Sequence, residues 1–204
     1  MANATVGHGL GVAPKMIFFK NMSASGNWNV YHGDIGKDKR LYLNTTAAQE
    51  TATNYMNDTA PTSSVFSVGV ATDTNGNGND QIAYCFAEVK GFSQFGTYSG
   101  SNTTDGPFIY TGFRPAFYLW KKYEGVDSWN LVDSKRIGYN PNNNRLFTNS
   151  TAAEDTQDRV DLVANGIKIR TKDSGTNGSG VAYMYMAFAE FPFVGSNETP
   201  GVAR

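Results

Sequence analysis

An all-β chain made of two tandem antiparallel β-sandwich repeats, jelly-roll-like in layout, is what this sequence predicts, and three observations predict it. The composition offers 13 Phe, 11 Tyr and 22 Gly in 204 residues, aromatic strand formers together with the breakers that join them. Short apolar blocks alternate with turn clusters such as "MSASG" from Met22, "TDTNGNGND" from Thr72 and "KDSGTNGSG" from Lys172. Finally, "IAYCFAEV", Ile82 to Val89, returns as "MYMAFAEF", Met184 to Phe191. A strand spelled twice directs the search to repeats before elements.

The elements follow in order. "GVAPKMIFFKN" from Gly11 predicts a strand centred on its aromatic run, and it lines up with "GFRPAFYLWKK" from Gly112: Pro14 with Pro115, Phe19 with Trp120 and Lys20 with Lys121, each 101 positions apart. At the same offset "NWNVY" from Asn27 meets "SWNLV" from Ser128. "RLYLNTTAAQET" from Arg40 meets "RLFTNSTAAEDT" from Arg145 at an offset of 105, so the second copy gains four residues, placed in "GYNPNNN", Gly138 to Asn144. In both, Thr before Ala-Ala with an acid soon after predicts one short helical turn. Phe66 and Val68 then correspond to Ile167 and Ile169. In "IAYCFAEV" the bulky Ile82, Tyr84 and Phe86 fall on one face and the small Ala83, Cys85 and Ala87 on the other, which predicts a strand covered on both sides at the centre of a sandwich. Each copy is about 100 residues, enough for one sandwich to close its own core; the domains are read as 1–91 and 92–204.

The copies differ at one end. "GFSQFGTYSGSNTTDG", Gly91 to Gly106, introduces the second copy with a strand carrying Phe92, Phe95 and Tyr98, and nothing like it introduces the first. The expectation is a sheet edge near residues 5 to 20 that is open, completed by another chain, or left by cutting from a longer protein.

Charge and leader segments exclude several classes. Seventeen basic against 18 acidic residues give a net charge of −1, which supplies no cationic field for nucleic acid or anionic lipid. The longest local apolar run at the start, Met16 to Phe19, is too short to span a bilayer, and no secretion signal precedes it. The single Cys85 reads as a small buried thiol. Asn-x-Ser/Thr triplets at Asn44 and Asn149 are read as products of a composition rich in these residues.

The candidate chemistry is sparse. Two His, with no "GxSxG" and no "HExxH", leave no standard nucleophilic or zinc apparatus. His8 and His32 face Ile109 and Asp133 in the other copy and are read as ordinary surface or turn residues. Glu88 and Glu190 hold one repeated position, so a shared structural duty is preferred to a glycosidase pair. The duty expected is an ion pair of Glu88 with Lys20 and of Glu190 with Lys121. Asp73 to Asp80, "DTNGNGND", is weighed as a calcium loop and read as a hairpin tip, because it has no closing Glu and its counterpart "DSGTNGSG" keeps the turn without the acids. Trp28 and Trp129, weighed as sugar platforms, are read as packing residues because both copies keep them. Unmatched loops are the better candidates for recognition: "MNDTAPTSS" from Met56, and the insertion carrying Tyr139, Asn140, Asn142 and Asn143. No cofactor is expected.

With "GLGVAPKMIFFKN", "NWNVYH", "LYLNTTAA", "NDTAPTSSVFSVG", "AYCFAEVKGFSQFGTYSG", "GPFIYTGFRP" and "MAFAEFPF" in order, the chain resembles a duplicated β-sandwich module of tailed-bacteriophage structural proteins, many from marine and cyanobacterial phages. The resemblance covers nearly all of both copies and is most specific from Ile82 to Pro115. It implies a non-enzymatic virion component assembled in the host cytoplasm: a tail fibre or peripheral appendage, homo-oligomeric and by analogy with fibres trimeric. Its implied partners are other virion proteins and a host-surface glycan or protein. The alternatives are a head decoration or cement protein bound to the capsid and, less favoured, an enzyme acting on surface polysaccharide.

Overall fold

In the computed structural model, which describes residues 2–136, 140 and 144–192, the chain divides into two units, Met1–Ala87 and Glu88–Arg204. The sequence put the junction after Gly91. Val89 explains the earlier start: its N–H donates to Ser93 O at 3.2 Å and its carbonyl accepts from Phe92 and Ser93, which ties this turn to the strand after it.

In the first unit the strands are β1 (Ala4–Gly7), β2 (Met16–Asn21), β3 (Asn29–His32), β4 (Lys39–Tyr42), β5 (Glu50–Thr51), β6 (Val65–Val68) and β7 (Gln81–Phe86), with one helical turn α1 (Thr72–Asn75) before β7. They form an antiparallel sheet ordered β5-β4-β3-β2-β7 and a two-stranded sheet β1-β6. Alternation sends Ile17 and Phe19 of β2 inward, where they meet Phe66 and Val68 of β6 with Tyr31, Tyr55 and Met56. Phe19 packs edge-on to Phe66 with ring centroids 5.5 Å apart, a geometry that adds about 1 kcal/mol to the burial itself.

In the second unit the elements are β8 (Ser93–Ser99), β9 (Phe108–Tyr110), β10 (Pro115–Lys122), β11 (Asn130–Asp133), β12 (Val160–Val163), β13 (Gly166–Ile169), α2 (Ser174–Asn177) and β14 (Ala182–Ala189). One antiparallel sheet is ordered β11-β10-β14-β8 and the other β12-β13-β9. Tyr118, Trp120, Tyr183 and Tyr185 from the first sheet meet Ile109, Val160, Leu162, Ile167 and Ile169 from the second. Gly166 permits the closest approach, since a Cβ there would stand 2.1 Å from Ile109 O.

The two strand orders can be read against each other. β3-β2-β7 in one unit corresponds to β11-β10-β14 in the other. The ladder from β3 to β5 reappears as two isolated bridges, Leu131 with Leu146 and Arg145 with Asp155. Among the described residues β8 and β12 have no counterpart strand in the first unit.

Two expectations are corrected and a third, the open edge, holds at β1. β7 is an edge strand, with Tyr84 46% exposed, rather than a central one; its relative β14 is central because β8 covers it. Within the segment expected to hold an open edge, β1 pairs with β6 alone and keeps a free side among the described residues, while β2 is flanked by β3 and β7; β7 has a free side as well. The helical turns at "TAAQET" and "TAAEDT" are absent: Thr45 and Ser150 hydroxyls take the N–H groups of Ala47 and Ala152 in local turns, and the chain then extends so that Glu50 and Asp155 lie opposite Arg40 and Arg145.

Candidate functional site

Much of the polar chemistry goes into bonds within each unit. Arg40 Nε donates to Glu50 Oε1 at 3.0 Å and Nη1 to Asn29 Oδ1 at 3.2 Å, with the guanidinium over the Tyr42 ring at 5.0 Å. Arg145 repeats this with Asp155 and with Asn130 Oδ1 at 2.7 Å, over the Phe147 ring at 4.6 Å. Tyr42 donates to Glu50 Oε1 at 2.6 Å. That bond, with help from Arg40, holds the Glu50 carboxyl below its usual range, while burial and the same bond push Tyr42 up to about 12. In the second cluster Arg159 adds a second cation, with Nη1 3.0 Å from Asp173 Oδ2. Burial pulls Arg145 down, and for Asp155 the same burial is outweighed by bonds from Gln157 N and Arg145, which lower it.

Two further devices recur. Asn44 Oδ1 accepts Trp28 N at 2.9 Å and Asn149 Oδ1 accepts Trp129 N at 2.8 Å, so both triplet asparagines tie a loop to the strand start beside each Trp. Asn75 Nδ2 donates to Ala2 O at 2.9 Å and Gly69 O at 2.7 Å, and Asn177 Nδ2 to Thr103 O and Thr171 O at 2.7 Å each. The turn cluster from Thr72 is thus pinned to neighbouring segments rather than forming a free tip. Among the described residues no group of three or more His, Cys, Asp or Glu is placed to hold a metal ion.

The expected ion pairs do not form. Antiparallel pairing puts Lys20 opposite Ile82 and Met16 opposite Phe86, so Lys20 and the carboxylate that follows β7 sit at opposite ends of the ladder. Lys20 Nζ bonds Gly26 O at 3.1 Å, and Glu88 accepts from Gln94 at 3.0 Å. Likewise Lys121 lies opposite Met184 and bonds Lys122 O at 2.8 Å, whereas Glu190 pairs with Arg114 at 3.3 Å. Lys121 is fully buried, and burial is the main cause that draws its ammonium down to about 8.

Of the predicted recognition residues, Tyr139, Asn142 and Asn143 lie outside the described residues. Asn140 is exposed, yet its carboxamide bonds both backbone groups of Leu162, Nδ2 to O at 3.0 Å and Oδ1 from N at 2.9 Å. It thereby acts as a one-residue partner for the outer side of β12, and with Asp158, Asp161 and Arg170 it lines a hollow of about 310 Å³. Arg170 Nε is bonded to Asp161 Oδ2 at 2.5 Å, so these two charges of the hollow are paired with each other. His32 is buried and His8 bonds Thr62 O at 3.1 Å. Trp129 is fully buried, while Trp28 is half-buried and stacks on Tyr84 at 6.2 Å.

A second hollow, of about 300 Å³, escaped sequence reasoning. Val6, Gly7, His8, Phe66, Ala83 and Cys85 line it under the open edge of β7. The signal that could have found it is the repeat itself, because Ala83 stands where the other copy has Tyr185.

A family model described as a domain of unknown function, DUF7483, matches residues 1–192 and so spans both units. No curated protein and no solved structure matches the chain.

Proposed function

We propose that this chain, which belongs to the DUF7483 family, is a non-enzymatic structural component of a bacteriophage virion, a tail fibre or peripheral appendage whose loops contact a glycan or protein of the host surface. The observation that carries this reading is the reuse of polar side chains for architecture. The Arg–Asn–acid cluster, the Trp–Asn tie and the Asn clamp occur in both units at matched positions, as expected of two copies of one module. The polar residues of these devices are thereby bonded within each unit, and the reading assigns recognition to the unmatched insertion around Asn140. Two modules on one chain, multiplied over a particle, turn weak contacts into avidity. Among the described residues no helix is long and apolar enough to cross a membrane.

The test is direct. The purified chain should bind host cells and a subset of a glycan array, and substitution of Tyr139, Asn142 and Asn143 by Ala should abolish both; equal binding by the variant removes the reading. The open edge of β7 favours a second reading, a head decoration protein docked edge-on to capsid, for which co-sedimentation with empty capsids and no cell binding is the expected result.

A further inference from the structure

The two units differ most where β8 lies. On β14 the N–H and C=O groups of Val181, Tyr183, Tyr185 and Ala187 turn toward β8, as Gly100 N to Val181 O at 2.8 Å shows at the start of the ladder. Counting 102 positions back, Tyr183, Tyr185 and Ala187 become Gln81, Ala83 and Cys85. Met22 N bonds Asp80 O at 2.8 Å, so alternate residues Ile82 and Tyr84 face β2, and Gln81, Ala83 and Cys85 present their backbone groups outward. Among the described residues no strand pairs with that side of β7.

The side chains beneath differ in a telling way. Tyr185 points into its core, and Gly96 lies opposite it; a Cβ at Gly96 would stand 2.9 Å from the Tyr185 hydroxyl, so the large ring requires a glycine in its partner strand. Ala83 has no ring, and the hollow of about 300 Å³ lined by Val6, His8, Phe66, Ala83 and Cys85 stands in its place. A cavity of about 150 Å³ accepts benzene, so this one has room for an aromatic side chain brought in from outside. Pairing of β7 with β7 of a second copy would set Gln81, Ala83 or Cys85 opposite Ala83, none of them an aromatic side chain that fills the hollow.

We propose that the outer edge of β7 is a strand-addition site for an extended segment of another protein, running antiparallel to β7 and placing a large apolar side chain opposite Ala83 into the hollow. This does not depend on the virion reading. The template for the occupant is β8 on β14, with its glycine replaced by a bulky residue.

Two fluorescent peptides test it on the intact chain: SQFGTYS, the sequence of β8, and the same peptide with phenylalanine in place of glycine. The phenylalanine peptide should bind at least about tenfold more tightly, the gain from burying one aromatic ring, and N-methylation of its alternate backbone amides that face β7 should abolish binding. In Ala83→Tyr the preference should reverse in favour of the glycine peptide. Equal affinities on the natural protein, binding that survives N-methylation, or a dimer in sedimentation that excludes both peptides would overturn the proposal. The first two measurements need no variant, so a folding defect in Ala83→Tyr leaves the test intact.

Discussion

Asn177 and Asn75 close the same turn 102 positions apart, but Asn177 is fully buried and takes a third bond from Ser101 N at 2.7 Å, while Asn75 is half-buried. The difference sets the energetic weight of each clamp, because buried bonding groups cannot turn to water when a partner is lost.

Asn177→Ala should therefore destabilise the protein by about 3 kcal/mol, since three backbone groups lose a buried partner. Asn75→Ala should cost roughly 1 kcal/mol because solvent can replace part of what is lost. Urea unfolding followed by fluorescence compares the two; equal midpoints would contradict the burial argument.

The acid–Arg clusters rank in the same way. Asp155 pairs with both Arg145 and Arg159, whose side chains are 9% and 6% exposed, so Asp155→Ala leaves two buried cations to share Asp173 alone and should cost about 3 kcal/mol. Glu50 is 46% exposed and pairs with Arg40 alone, and Glu50→Ala should cost under about 1 kcal/mol. Thermal midpoints of the two variants provide the check.

Lys121 gives a pH signature. Its folded pKa, about 8, lies below the usual 10.5, so the unfolded chain binds more protons between these values and stability rises with pH through that window. The penalty is fully present below pH 8 and is relieved by about 2 kcal/mol at pH 10. Lys121→Met should lack the rise. Unfolding free energies measured from pH 7 to 10 compare the two proteins; above pH 10 the raised hydroxyls of Tyr42 and Tyr183, each pushed up to about 12, begin to act in the opposite direction.

The fold class was legible because aromatic alternation and glycine turns are local signals, and they placed the strands around Phe19, Trp120, Phe66 and Ile167. Pairing geometry was less legible. Lys20 and Glu88 look like partners at the ends of two strands, yet antiparallel neighbours end at opposite sides of a sheet. Thr46, Thr151 and their following acids read as helix starts because the partners that claim those acids, Arg40 and Arg145, are distant in sequence and near in space. The central reading of β7 failed for a related reason: its residues are apolar on both faces, but only a neighbour such as β8 decides whether such a strand is covered. Of the candidate site, Asn140 showed a structural bond to Leu162 that a loop composition of Asn and Pro does not announce.

The unequal edges also set a clock. Among the described residues no strand holds the amide hydrogens of Gln81, Ala83 and Cys85, whereas those of Tyr183, Tyr185 and Ala187 are held by β8. Three related positions in one chain thus trade protons at rates set by fraying in one case and by departure of a whole strand in the other. Any molecule that seats on β7 would slow the first set to the pace of the second.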